Sequence, residues 1–532
     1  MSGVLPMSAY DFQADGIYYG LNGEEATVVQ GDTPYSGNVV IPSSVSYDGN
    51  TYSVTAIGGM AFESCSELTS IALPNTVTTI GYAAFYNCSS LASVSMGNSV
   101  TSIGVHAFFQ CGSLASITLP ASVTSIGTDA FLDCENLEEI IVAEGNNSYS
   151  SIDGVLYDKN KTVLLKCPDK KSQVTIPTSV TTIENGAFTG CHGLTTIEIP
   201  NSVKSISSQA FFSCRNLTTV SIGNSVTAIG NGAFSNCTSL EEIIVAEENP
   251  SYSSVEGALY NKDQTVLSKW PDKKLNVSIP NSVTAIGNCA FEYCSELTSI
   301  TLPESVTTIG EWAFSRCSGL TSIDIPHAVK NIGYQAFSYC DNLTSISIGN
   351  SVIVIGDYAF ENCNRLTLVA MGNSVSAIGN YAFSGCSSLS SITLPASVTR
   401  IGANAFWGCN MQKIYSWPQN PPEIAFNTFT PAQYGATLYI PTDCKSKYEA
   451  DPYWHYFMNM VEIQSSVDEI DRQELHVYVV DRTLHVENDG AAYRVYSASG
   501  KAVYAGNATT LSLAPGVYVV CTENDVQKVL VK

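Results

Sequence analysis

The chain has 532 residues, of which 45% are hydrophobic and only 14% charged, so it holds ample material for a buried core and is not disordered. Asp plus Glu number 48 against 24 for Lys plus Arg, a net charge of −24 that repels nucleic acid and anionic lipid and excludes a phosphate-backbone binder. No run approaches the ~18 apolar residues of a membrane-spanning helix, so no membrane insertion is expected.

Residues 1–53 read as a β-rich N-terminal cap, with strand-like Tyr18-Tyr19, Val28-Val29 and Val39-Val40-Ile41 ahead of Pro42. Met1 to Tyr10 has no basic n-region and no apolar run of about 7–15 residues, so an export leader is expected to be already removed, with Ser8-Ala9 a remnant of its cleavage region. From 54 to 410 the chain repeats. Cys65, Cys88, Cys111 and Cys134 stand 23 residues apart, as do Cys191, Cys214 and Cys237, and then Cys294, Cys317, Cys340, Cys363, Cys386 and Cys409. Thirteen units keep this phase, which predicts a β-rich solenoid of 23-residue coils.

One unit shows the design. In Leu68-Thr-Ser-Ile71-Ala-Leu73-Pro74 the apolar residues alternate, so Ile71 and Leu73 face inward from a short strand that Pro74 closes. Val77 and Ile80 begin a return path, Gly81 permits a bend, and Ala84-Phe85 with Cys88 fill the interior from the other wall. A single unit cannot bury this face, whereas a stack buries it continuously.

Two steps, Cys134 to Cys191 and Cys237 to Cys294, are 57 residues, one coil plus 34. The insertions, at about 138–176 and 241–279, read alike: Tyr149 to Tyr157 matches Tyr252 to Tyr260, and Thr162 to Lys171 matches Thr265 to Lys274. Each predicts a hairpin, turning at Asp158–Lys161 or Asn261–Gln264. Residues 411–463, rich in Trp, Tyr and Pro, read as a closing cap. Residues 464–532 read as a polar linker, Gln464 to Glu469, and a small C-terminal β-sandwich.

The core Val77-Thr-Thr-Ile80-Gly81-x-x-Ala84-Phe85-x-x-Cys88 resembles the leucine-rich repeats of the BspA family of bacterial surface proteins, over about 54–463. The resemblance implies a curved, non-catalytic solenoid on the outer surface of anaerobic bacteria or secreted by them. It further implies an adhesin-like role, contacting a protein or glycan ligand such as host extracellular matrix. The alternative is a spacer scaffold of the cell envelope without a specific ligand. The final segment resembles the sorting domain of type IX secretion substrates, through Gly500 to Gly506, Pro515 to Val520 and Lys528 to Lys532. That likeness implies sorting roles for Gly516, Tyr518, Lys528 and Lys532.

No catalytic residue, metal or cofactor is expected. The repeat cysteines form no Cys-x-x-Cys pair and read as small buried hydrophobes, free as thiols. Cys167 aligns with Trp270, so its site asks for an apolar residue rather than a disulfide. So many free thiols in an exported protein suit an anaerobic habitat. The six histidines lie in no catalytic motif. Glu138-Glu139 and Glu241-Glu242 are neighbours on a strand and so point to opposite faces, which is wrong for a glycosidase pair.

Two surfaces remain as binding candidates. The strand face is small and polar, as at Ser299, Thr301, Ser322, Asp324 and Ser347; it is either a solvated strand or a long, flat partner surface. Residues 1–158 contain sixteen Asp and Glu and no Lys or Arg, while nine lysines fall in the insertions. Lys170, Lys171, Lys273 and Lys274 therefore mark basic islands, serving either solubility or contact with an anion or a partner.

Overall fold

The computed structural model describes residues 10–463 and, beyond them, the strands between 476 and 531. It is a β-solenoid with almost no helix. Two compact units divide the chain, 1–264 with 268–274, and 265–267 with 275–532.

In the first unit each coil has three walls. A longer strand, Leu68–Ala72, runs parallel to Ser93–Ser95, with Ser70 opposite Ser93 and Ile71 opposite Val94. A short strand, Thr79–Ile80, stacks in parallel on Ser102–Ile103, which stacks on Ser125–Ile126. The third wall is a ribbon of tandem turns. Ala84 N–H, Tyr86 N–H and Cys88 N–H bond back to Gly81 O, Ala83 O and Phe85 O within the coil (3.4, 3.0 and 3.3 Å). The intervening amides of Ala83, Phe85 and Asn87 donate to Val105 O, Ala107 O and Phe109 O of the next coil (2.9, 2.8 and 2.8 Å). Alternation requires every fourth residue to turn left-handed: Ala83 and Asn87 have φ of 50° and 57°, His106 and Gln110 55° and 57°. Half of the ribbon's amides thus close turns and half tie coils together, which satisfies a buried backbone without helix.

Phe and Cys recur because both fill and bond this interior. Phe62, Phe85 and Phe108 are fully buried and their rings stack at 4.9 and 5.1 Å. The Cys88 thiol donates to Phe62 O (3.0 Å), Cys111 to Phe85 O (3.2 Å) and Cys134 to Phe108 O (3.1 Å). Serine would bond there too, but the thiol is the more apolar donor for a dry core. The file begins at Tyr35, whose ring lies 4.5 Å from Phe62 and whose N–H donates to Cys65 Sγ (3.2 Å).

The first insertion keeps the stack in phase with two hairpins rather than the single expected one. Glu139–Val142 extends the long-strand wall, parallel to Ser116–Leu119. Tyr149–Ile152, Val155–Asp158 and Val163–Lys166 then form an antiparallel meander whose last strand lies parallel to Thr182–Ile183. The extra turn is Asp153-Gly154, with φ of 48° and 76°, the two-residue hairpin that favours Gly at its second position. Buried Asn146 anchors the entry: its Nδ2 donates to Pro120 O and Val123 O (3.0 Å each), and its Oδ1 accepts from Ser148 and Tyr149 N–H (2.8 Å each). Asn249 does the same for the second insertion, with Gly223 O and Val226 O at 2.8 and 3.0 Å.

In the second unit the aromatic file runs from Phe291 to Phe406 and meets Phe429 at 5.3 Å, which packs edge-on against Trp454 and Phe457. Buried Gln433 stands where a next cysteine would be. Its Nε2 donates to Phe406 O (2.7 Å) and Cys409 O (2.9 Å), closing the ladder. Farther along, His476–Val480, Thr483–Glu487 and Thr510–Ser512 form one antiparallel sheet, and Ala502–Gly506, Tyr493–Ser497, Gly516–Cys521 and Val526–Val531 another.

Two predictions follow from the buried file. Phe337 is fully buried between Phe314 and Phe360 (5.1 and 5.3 Å), so Phe337→Ala is expected to cost about 3–5 kcal/mol in urea unfolding. Burial pushes the Cys88 and Cys134 thiols up to about 12 and raises those of Cys65, Cys111, Cys191, Cys214, Cys340 and Cys386. An unfolded thiol loses its proton near pH 8.5 while these keep theirs, so the native state binds more protons above that pH. Stability is expected to fall by about 1.4 kcal/mol per pH unit for each such thiol, until its native value is passed. Urea midpoints at pH 7 and 9.5, with thiol titration of native and unfolded protein, check this. Equal midpoints, or ready native modification, would count against it.

Candidate functional site

The long-strand wall of the second unit brings most of the strand-face candidates together. Ser322 lies opposite Ser345, and Asp324 opposite Ser347, which is followed by Ala370 on the next coil. Asp324 and Ser347 are exposed and Ser322 is half-buried. Ser299 and Thr301 are exposed one coil earlier, on backbone outside the regular strands. Beside them runs a threonine file whose hydroxyls are committed: Thr321, Thr344 and Thr367 Oγ1 donate to the carbonyls of Thr298, Thr321 and Thr344 (3.3, 3.1 and 3.1 Å). Threonine here seals the stack. The Ser347 hydroxyl has no hydrogen-bond partner among the described residues and faces outward. This surface offers donors and acceptors at one coil's spacing, and farther along the same wall Tyr415 lies opposite Thr393 and stacks on Tyr439 at 4.6 Å.

The hairpin lysines are held differently. Lys170 Nζ lies 2.7 Å from Glu138 Oε1, with both side chains more than half exposed, and this cation holds the Glu138 carboxyl below its ordinary range. Lys171 Nζ donates to Asp153 O, and Lys274 Nζ donates to Glu256 O and sits over the Trp270 ring. Lys273 N–H donates to Leu240 O (3.0 Å). Lys159 and Lys262 bond the carbonyls of Asn146 and Glu247. Most of these cations therefore fasten their own hairpins, a use that the sequence reading of basic islands did not foresee.

A buried ion pair was also not foreseen. Lys166 Nζ reaches Asp169 Oδ1 (2.7 Å) and Thr189 O (2.8 Å), and Lys269 Nζ reaches Asp272 Oδ1 (2.5 Å) in the second insertion. Asp169 is 1% exposed, and its Oδ2 has no hydrogen-bond partner among the described residues, so its charge depends on Lys166. Burial opposes the Lys166 charge, yet the facing carboxylate keeps the amine protonated. The signal was present in sequence as the duplicated Lys-x-x-Asp, 166–169 and 269–272.

Among the described residues no group of three or more His, Cys, Asp or Glu side chains could hold a metal ion, and no helix is long and apolar enough to cross a membrane. His106 Nε2 faces Asp129 Oδ2 at 3.7 Å, on the surface. Of the sorting candidates, Gly516 and Tyr518 pair with Val531 and Val529, and Lys528 with Val519; Lys532 lies outside the described residues.

The profile of the BspA type leucine-rich repeat region matches residues 50–159, 160–262, 272–377 and 353–475. Among solved structures, a leucine-rich cell surface protein of Faecalibacterium prausnitzii is 26% identical, with 84% of this chain and 98% of that one covered at a TM-score of 0.38. The pneumococcal vaccine antigen PcpA is 18% identical, with 85% and 98% covered at 0.40. A leucine-rich repeat protein of Bacteroides ovatus is 25% identical, with 78% and 99% covered at 0.32. No curated protein matches.

Removing one partner of the buried pair, as in Lys166→Met, is expected to cost about 3–5 kcal/mol, while Lys166→Met with Asp169→Leu restores most of it. Thermal unfolding of the two variants measures the difference, and equal losses would show that the pair is not what the hairpin leans on.

Proposed function

The chain belongs to the BspA-type leucine-rich repeat family, and from that premise we infer a non-catalytic binding scaffold, secreted or displayed on the cell surface, with an adhesin-like role. The observation that carries the reading is the outward strand face, where Asp324 and Ser347 lie side by side on adjoining coils next to threonines whose hydroxyls bond within the stack. A flat face of this kind suits an extended protein or glycan partner, whose many weak contacts add along the repeat. Farther along the same wall Tyr415 lies opposite Thr393 and stacks on Tyr439 at 4.6 Å, an aromatic pair of the kind that anchors a partner.

Two surfaces compete for the partner. We place it on the strand face, because Lys170, Lys171 and Lys274 are engaged with Glu138, Asp153 and Glu256. The C-terminal strands are proposed to act in sorting, as their likeness to type IX substrates implies, with the free buried thiols suiting an anaerobic habitat.

Binding to immobilised extracellular matrix proteins and mucosal glycans tests the reading. Substituting Thr301, Asp324 and Ser347 together with Lys is expected to weaken binding about tenfold or more, and charge reversal of Lys170, Lys171, Lys273 and Lys274 to change it far less. The reverse order would move the site to the hairpins; no binding to any surface would favour a spacer. Deleting 467–532 is expected to leave a folded solenoid that no longer reaches the cell surface. Normal display of that truncated chain would remove the sorting role.

A further inference from the structure

Each insertion shortens one corner of its coil. Five positions separate Ile126 from Phe131, but only three separate Leu164 from Cys167. Cys167 nevertheless occupies the Phe position, because its N–H donates to Ala187 O (2.7 Å) just as Phe188 N–H donates to Ala210 O (2.7 Å). Two residues of the outer turn are therefore missing. In the first unit their place is a cavity of about 220 Å³ between the turn Ile126–Leu132 and the corner Glu184–Gly186, with Tyr149, Leu156 and Leu165 among its walls.

The missing turn leaves main-chain groups without their usual mates. At this level His106 and Phe108 N–H donate to Thr128 O and Ala130 O of the following coil (3.1 and 2.8 Å). The equivalent amides of Asp129 and Phe131 have no carbonyl acceptor among the described residues. Opposite them the Asn185 carbonyl, which holds the place of Val105 and Thr128, receives no N–H among the described residues. The second copy repeats the pattern, since the amides of Gly232 and Phe234 likewise find no carbonyl among the described residues. Backbone donors on one wall and a backbone acceptor on the other, over an apolar floor, form a slot for a peptide group.

Charge narrows the occupant. Lys166 lines the slot, but its amine is taken by Asp169 and Thr189 O. The remaining charges at the slot are the carboxylates of Asp129 and Glu184, which repel phosphate and acidic groups and favour cations. The volume falls below the ~300–1,000 Å³ of pockets that take drug-sized ligands, so the slot admits only a short segment. We propose that this notch binds a short, basic peptide segment whose main chain replaces the missing turn. Its carbonyls accept from Asp129 and Phe131 N–H, its N–H donates to Asn185 O, and a Lys or Arg beside them meets Asp129 and Glu184.

The full chain is titrated with N-acetyl-alanyl-lysine methylamide, with its glutamate counterpart and with N-acetylglucosamine, followed by saturation-transfer NMR. The lysine peptide is expected to bind and the glutamate peptide to bind at least about tenfold more weakly. Leu165→Trp, which fills the slot, is expected to abolish binding, as is insertion of Thr-Asp between Leu165 and Lys166, which rebuilds the regular turn. Glu184 is exposed, so Glu184→Lys keeps the fold whatever the packing variants do; it is expected to weaken the lysine peptide about threefold or more. Equal binding of the two peptides, binding unchanged in all three variants, or binding of N-acetylglucosamine alone would overturn the proposal.

Discussion

The contact between the cysteine of one coil and the phenylalanine carbonyl of the coil before it sets the terms for everything else. Cys88 to Phe62 and Cys363 to Phe337 are the same 26-residue step in the two units, at 3.0 and 3.2 Å. The contact works only if the Phe ring stacks on its predecessor and the ribbon amides reach the next coil's carbonyls. All three conditions share one period; where the insertion coil is two residues short, the ring stack and the ribbon bonds of Asp129 and Phe131 are lost, while Cys167 N–H still donates to Ala187 O and Cys167 O accepts the Cys191 thiol (3.4 Å). That coupling explains why the repeat is strict in its interior and loose outside.

The insertions show how such a period tolerates extra chain. The added residues leave after one wall is complete and return as a strand in the next, parallel to Thr182–Ile183, so the excursion disturbs the stack at one corner and leaves the other walls in register. The cost is an antiparallel meander pressed against parallel coils, with polar groups that the repeat does not satisfy. Asn146, Asp158 and the Lys166–Asp169 pair meet that need: Asp158 Oδ1 accepts from Thr162 and Val163 N–H at 2.6 and 2.7 Å. Buried charge is a poor source of net stability, but it is intolerant of alternatives and so fixes how the hairpin docks.

Function is left to what the stack does not use. Inward positions are committed to packing, and threonine hydroxyls and hairpin lysines to local bonds. Small outward side chains, exposed aromatics such as Tyr82 and Trp407, and the corner where two residues are missing remain to meet a partner. A scaffold built in this way changes ligands by altering exposed residues without touching its core, as repeat architectures do generally.

The sequence by itself determined the solenoid, its period and its interior, because each coil repeats one pattern of apolar residues and a strict period leaves little freedom in stacking. Phe85 and Cys88 could be placed inside from phase alone, and both are fully buried. The twin hairpins and the exposure of Asp324 and Ser347 were half legible, the extra Asp153-Gly154 turn being hidden in an ordinary-looking Asp-Gly. Only the tertiary structure decided where the lysines go. Lys166 and Lys170 are four residues apart and alike in composition, yet one is buried against Asp169 and the other sits at the surface beside Glu138. What separates them is that Lys166 Nζ also reaches Thr189 O of the following coil, whereas Lys170 lies beside an exposed carboxylate. The Lys-x-x-Asp spacing can be read in the chain, but its burial against the next coil follows from the register of the stack.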